Sequence, residues 1–276
     1  PLQATLRGRG DLQAFTVETL HATLPGMVAD LSAPVTIERA GKFREGAAHF
    51  TAQVDLARQP WFAARGAVSV EARLNSGAGA APAMEFRATA HDVVAEEVAI
   101  SDADVAGRLT WPRIQVTTAM LVGAEGEHLS GSGGWDFRTK EMLDAAIEGE
   151  VRRATVERWL PAQPRFDTVA VSARANGPLA SVKHEGEATA AGVTFPSMKP
   201  LTFTLAWNGT GSAIEKFSAT VAAAATKLTA AGAVDHDALR LTACELTQGG
   251  AKRLRLAQPA TVVWRPAWRI KGVKLT

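Results

Sequence analysis

The chain has 276 residues, 46% of them hydrophobic and 21% charged, which argues against disorder and allows one large β domain or two ordinary ones. Thirty basic residues against 28 acidic ones leave a net charge of +2, no field that would draw nucleic acid or an anionic surface. A single cysteine, Cys244, rules out an internal disulfide and suits either a reducing compartment or a periplasm where none is used.

Two-residue alternation of apolar and polar side chains begins early and recurs to the end. Phe15-Thr16-Val17-Glu18-Thr19-Leu20 is followed by the proline-led stretch Ala33-Pro34-Val35-Thr36-Ile37. Phe50, Ala52, Val54 and Leu56 alternate with Thr51, Gln53 and Asp55. Val68, Val70, Ala72 and Leu74 alternate with Ser69, Glu71 and Arg73; Phe86, Ala88 and Ala90 oppose Glu85, Arg87 and Thr89. Ile114, Val116, Met120 and Val122 are expected on one face of a further strand. Ala145 to Val151 reads as strand, because Gly149 interrupts a helical reading of Glu141 to Ile147.

One stretch reads as helix: Ala154 to Leu160 carries Val156, Trp159 and Leu160 at helical spacing and stops at Pro161. Strands resume with Val169 and Val171. Leu201, Phe203, Leu205 and Trp207 then share a face, opposite Thr202, Thr204 and Ala206. Near the end, Leu239 to Ala243 followed by Gln258-Pro259-Ala260-Thr261-Val262-Val263 repeats the Phe15 to Ile37 arrangement. Ser69 to Trp111 and Val171 to Trp207 form a second loosely similar pair, so a β unit recurs without a strict period. Asn75-Ser76-Gly77, Asn176-Gly177-Pro178, Asn208-Gly209 and Gln248-Gly249-Gly250 are predicted turns.

Alternation of this kind marks antiparallel strands with one wet face, since parallel strands buried on both faces read as continuous apolar runs. The predicted fold is all-β: a long curled antiparallel sheet of about 15 to 20 strands with a hydrophobic interior and at most one or two short helices. Residues 1–276 read as one continuous segment of a longer protein, cut from it at both ends. No apolar run approaches the roughly 20 residues that span a bilayer.

No constellation in the sequence points to catalysis, a metal or a cofactor. The six histidines stand 28 or more residues apart. The carboxylates beside them, in His91-Asp92, Lys183-His184-Glu185 and Asp235-His236-Asp237, point to the opposite face of a strand. Cys244 sits in an alternating run as a small hydrophobe, and Gly131-Ser132-Gly133-Gly134 leads into more strand rather than a helix that could hold phosphate. Glu96-Glu97 falls in an apparent turn, and Asn208-Gly209-Thr210 is a turn before it is a glycosylation signal. Seven tryptophans without a tyrosine differ from the girdles of an outer-membrane barrel.

An apolar face this long needs a cover, and the sequence offers almost no helix. The sheet either folds over itself as a closed sandwich or leaves an apolar trough. Alanines on the inner face (Ala72, Ala88, Ala173, Ala219, Ala223) favour the trough, because they leave room that leucines would fill.

The proline-led strands at Pro34 and Pro259, the glycine-flanked unit Leu129-Ser130-Gly131-Ser132-Gly133-Gly134 and the short helix ending at Trp159-Leu160-Pro161 resemble the TamB family. These are the translocation and assembly modules of bacterial envelopes, AsmA-like bridge-type lipid transfer proteins. The resemblance implies a periplasmic β-taco with a hydrophobic groove, held by an inner-membrane anchor, passing phospholipids between inner and outer membrane and meeting an outer-membrane barrel protein. Anchor and barrel contact would lie outside this segment.

On this reading the partners are phospholipid acyl chains, with no nucleic acid and no enzyme activity. The residues expected to line the groove are Leu201, Phe203, Leu205, Trp207, Val68, Val70, Ile114, Val116, Val169 and Val171. The alternative is a closed β-sandwich acting as a structural or assembly scaffold for outer-membrane proteins by offering strand edges. A carbohydrate-active β enzyme is the third class.

Overall fold

The computed structural model describes residues 3–32, 34–38, 46–59, 63–76, 83–95, 98–153, 165–195, 199–264 and 269–276. Among them are twenty strands, joined in antiparallel pairs, and two single-turn 3₁₀ segments, Leu56–Arg58 and Leu179–Ser181. The chain divides into two units, Pro1–Lys140 and Glu141–Thr276. The short helix expected over Ala154 to Leu160 and the turn at Glu96-Glu97 lie outside the described residues.

The first unit holds β1 (Gln3–Gly10), β2 (Ala14–Leu24), β3 (Met27–Leu31), β4 (Val35–Glu38), β5 (Gly46–Asp55), β6 (Ala64–Ser76), β7 (Ala83–Ala95), β8 (Val98–Thr110), β9 (Arg113–Gly123) and β10 (His128–Asp136). β2 takes β1 on one side and both β3 and β4 on the other; β3 continues to β5, and each strand from β5 to β10 pairs with the next. β1 and β10 do not pair with each other, so this sheet is open rather than a barrel.

The second unit holds β11 (Glu141–Arg152), β12 (Thr168–Pro178), β13 (Lys183–Val193), β14 (Leu201–Thr210), β15 (Ala213–Ala223), β16 (Thr226–Asp235), β17 (Ala238–Gln248), β18 (Ala251–Arg255), β19 (Ala260–Val263) and β20 (Arg269–Lys271). It runs as a meander from β11 to β17; β17 then takes β18 and β19 end to end, and β20 pairs with β19.

That last arrangement explains the internal likeness in the sequence. β2 and β17 each accept two short strands laid in line, β3 with β4 and β18 with β19. Pro34 and Pro259 stand at the two breaks. A proline has no N–H to give the ladder, so one long partner strand becomes two.

Two turn expectations are corrected. Asn208-Gly209 lies inside β14, and the chain reverses at Gly211-Ser212, where Gly211 has φ +62°. The alternation of Leu201 to Trp207 runs on to Gly209, which pairs with Ile214, so the ladder outlasts the turn signal. Asn176-Gly177-Pro178 likewise ends β12, with the reversal in the following Leu179–Ser181 turn. Asn75 and Ser76 close β6, Gly77 lies outside the described residues, and Gln248-Gly249-Gly250 does turn, at Gly249 and Gly250 with φ +59° and +81°.

A third correction concerns β9. A one-residue bulge between Val116 and Ala119 reverses the alternation. Ile114 and Val116 keep the apolar side and are followed there by Ala119 and Leu121, whereas Met120 and Val122 turn to the wet side opposite Asp104 and Asp102.

Candidate functional site

The strand registers assemble the apolar residues into transverse rows. In the first unit one row runs Leu20, Leu31, Phe50, Ala72, Phe86, Gly107, Val116. The next runs Ala22, Ala29, Ala52, Val70, Ala88, Val105, Ala119, and a third runs Leu24, Met27, Val54, Val68, Ala90, Ala103, Leu121.

The second unit repeats the scheme. Its rows are Val151, Val169, Ala190, Phe203, Val221, Leu228, Leu246, then Gly149, Val171, Ala188, Leu205, Ala219, Ala230, Cys244, then Ile147, Ala173, Gly186, Trp207, Phe217, Gly232, Leu241.

Large and small residues interleave along these rows, and the largest sit on glycines. A Cβ on Gly186 would come within 2.6 Å of the Trp207 ring; one on Gly107 would come within 2.8 Å of Phe86, and one on Gly232 within 3.0 Å of Phe217. An aromatic ring laid over a cross-strand glycine covers backbone that would otherwise face water and fixes the register of that pair.

All ten residues expected to line a groove lie on these faces: Val68, Val70, Ile114 and Val116 in the first unit, and Val169, Val171, Leu201, Phe203, Leu205 and Trp207 in the second. Each is half-buried. The five alanines Ala72, Ala88, Ala173, Ala219 and Ala223 share the same faces. Phe86, Phe217, Leu228 and Leu246 belong there too and follow from the same alternation, whereas Leu121 reaches the face only through the β9 bulge.

Solvent reaches these faces. Among the described residues no large side chain is completely buried, and Phe15, Ile147, Leu228 and Leu254 are 37–46% exposed. The chain exposes 17703 Å², where two compact proteins of half its mass would together expose roughly 14,000 Å². A closed sandwich core would hide most of its leucines and phenylalanines; here, among the described residues, the apolar side chains below one-tenth exposure are six alanines with Val193, Phe217 and Leu256.

The opposite faces are polar, and the two units build them differently. In the first, side-chain contacts cross the strands: His21 Nδ1 to Asp30 at 2.5 Å, His49 Nε2 to Glu71 at 2.9 Å, His91 Nδ1 to Asp102 at 2.7 Å, and the ion pair of Arg87 with Asp104; within β6, Arg73 reaches Glu71 at 2.9 Å. The Arg73 and His49 bonds hold the Glu71 carboxyl below its ordinary range, and the Arg87 guanidinium does the same for Asp104. In the second unit a threonine row, Thr189, Thr204, Thr220 and Thr229, crosses four strands.

Each of these histidines finds its carboxylate on a neighbouring strand, not beside it in sequence, which only the register discloses. The exception is His236, which contacts Asp235 at 3.1 Å in the β16–β17 turn.

Among the described residues four polar side chains are buried, Gln59, Glu127, Asp136 and Arg153, and Asp136 is the most deeply so. Asp136, 3% exposed, ends β10 and accepts from Arg113 Nε at 2.7 Å and from the backbone N–H groups of Arg138 and Thr139 at 2.9 and 3.1 Å. Chiefly through Arg113, its carboxyl is held down at about 2. It braces the turn that carries Phe137, whose ring stacks on Trp111 at 5.6 Å.

Among the described residues no three histidine, cysteine, aspartate or glutamate side chains converge to hold a metal ion, and no helix is long and apolar enough to cross a membrane. No protein-family model, curated protein or solved structure matches the chain. What the molecule offers chemically is open antiparallel sheet, in each unit with one solvent-touched apolar face and one polar face.

Proposed function

We propose that this chain is a segment of a lipid conduit of the bacterial envelope, related to the TamB and AsmA-like bridge proteins. In this reading its apolar faces shelter phospholipid acyl chains travelling between inner and outer membrane. The observation that carries the proposal is the run of half-buried apolar rows across β2, β3 and β5 to β9 and across β11 to β17, in which, among the described residues, no large side chain is completely buried.

The mechanism is shielding without catalysis. Each acyl methylene moved from water onto such a face contributes about 0.8 kcal/mol. The side chains need no particular chemistry for this, only apolar surface with room above it, and alanine and glycine supply the room. Headgroups stay in water at the margin. The protein works in the periplasm, and an inner-membrane anchor and contact with an outer-membrane barrel belong to parts of the full-length protein beyond these residues.

A scaffold reading is favoured by one specific observation. β1 is exposed at every position and among the described residues pairs only with β2, so it offers an edge that another strand could extend. Native mass spectrometry of the purified segment separates the two. Co-purifying phospholipid, lost in Leu205→Asp because a buried unpaired charge costs several kcal/mol, supports the conduit. Lipid-free protein in the presence of supplied phospholipid sinks it and leaves the scaffold.

A further inference from the structure

The strand registers hold an internal repeat closer than the sequence discloses. β1 on β2 and β16 on β17 correspond position for position. Leu6 opposite Leu20 matches Ala230 opposite Cys244, Thr5 opposite His21 matches Thr229 opposite Glu245, and Gly8 opposite Val17 matches Gly232 opposite Leu241. Both ladders are interrupted at the same place by one extra residue on the partner strand, Glu18 in β2 and Thr242 in β17. A Cβ added to either glycine would meet the corresponding backbone carbonyl, Thr16 O at Gly8 and Arg240 O at Gly232. The short strands alongside agree: Leu24 opposite Met27 and Val17 opposite Val35 match Gln248 opposite Ala251 and Leu241 opposite Ala260. β1 to β4 are the counterparts of β16 to β19.

The counterparts differ in what lies outside them. β16 carries β15 on its other edge, where Phe217 stands opposite Gly232, Ala219 opposite Ala230 and Thr220 opposite Thr229. Gly232 is buried there, and most of β16 is half-buried. β1 has no second neighbour among the described residues, is exposed throughout, and leaves Leu6 58% exposed. Its outward backbone groups are a template for a further strand, and a shared register on the inner side sets the same pleat on the outer one.

We propose that the outer edge of β1 is filled as that of β16 is, by an antiparallel strand of this protein's own chain lying ahead of residue 1. That strand carries an aromatic residue opposite Gly8 and small or aliphatic residues opposite Leu6 and Ala4, as Phe217, Ala219 and Val221 do in β15. It departs from β15 at one position. Ser218 faces Ala231 in the second unit, whereas Arg7 holds the corresponding place in β1 with no charged partner among the described residues, so an acidic residue fits opposite it. The assignment stands whether or not lipid travels on the apolar face, and an edge so filled is closed to a client strand.

The test supplies the β15 sequence, Ala213–Ala223, as a free peptide carrying Thr220→Cys to the intact chain carrying Cys244→Ser and one of Gln3→Cys, Thr5→Cys or Arg7→Cys. The expected result is a disulfide to Thr5→Cys about tenfold more abundant than to either of the others, because a two-residue slip takes the sulfurs beyond bonding reach. Ser218→Asp in the peptide should raise the yield to Thr5→Cys about two- to fivefold, a gain lost in Arg7→Gln. A yield independent of position, or none at all, overturns the proposal. A disulfide joining two chains through Thr5→Cys in place of the peptide gives the edge to a second copy and overturns it too. In the full-length protein a photoreactive residue at Thr5 should capture residues of the same chain ahead of residue 1. Capture of a different protein instead overturns the assignment to this chain and strengthens the scaffold reading, and none of these outcomes touches the conduit reading.

Discussion

The two units share an apolar face and differ in the polar one. In residues 3–140 the wet side is stitched by cross-strand contacts of histidine and arginine with carboxylates; in residues 141–276 its corresponding middle row is threonine, Thr189 to Thr229. A polar face can be built from either, because water satisfies both. The apolar faces have less freedom: each stacks large residues against alanine or glycine in every row, and each seats an aromatic ring on a glycine one strand away. What is common to the units lies on the side the proposed function uses, and what varies lies on the side it does not.

Breaking that shared device should have the largest effect. Gly186→Val and Gly107→Val both drive a side chain into an aromatic ring and into backbone carbonyl oxygen, Ser172 O and Gln115 O. Each should destabilise its unit by about 1–3 kcal/mol, measured by denaturant unfolding. Gly126→Val, where an added Cβ meets nothing within 4 Å, strains the backbone at φ +84° without a clash and should cost less. If the glycines under Trp207 and Phe86 tolerate valine freely, the rings do not set the register.

Acid should separate the units next. A carboxyl held below its ordinary value in the folded state contributes stability above that value and loses it as pH falls through the folded one. Asp136, ordinarily 3.8 and here about 2, therefore contributes fully above about pH 4 and progressively less towards pH 2. Glu71 and Asp104 of the first unit are lowered too, whereas among the described residues of the second unit only Asp235 is. Hydrogen exchange between pH 5 and pH 2 should show residues 3–140 loosening before residues 141–276, and Asp136→Asn should flatten the difference. Simultaneous loosening would show that the carboxylate network does not govern acid stability.

The smallest effect is expected from single ion-pair deletions on the wet face. Arg87→Gln removes an exposed pair that water and salt already weaken, and its thermal melt should overlay that of the parent. A clear shift would mean the charges of the first unit fix its register in place of the aromatic–glycine contacts.

Much of this fold was legible in the sequence. Alternation through Leu201-Thr202-Phe203-Thr204-Leu205 leaves one antiparallel solution, and the likeness of Pro34 to Pro259 marked the two places where a partner strand is divided. Local insertions were not legible. The β9 bulge moves Met120 to the wet side through one extra residue in the ladder, and nothing between Thr117 and Ala119 announces it. Asn208-Gly209 carries a strong turn signal that the surrounding ladder overrides.

The most direct test of the central claim compares faces within single strands. A photoreactive residue is placed at Val70 or Leu205 on the apolar side, and at the adjacent wet-side Ser69 or Thr204, and phospholipid is supplied. The account predicts lipid adducts from Val70 and Leu205 and none above background from Ser69 and Thr204. Equal labelling from both sides, or no adducts from Val70 and Leu205, would contradict it.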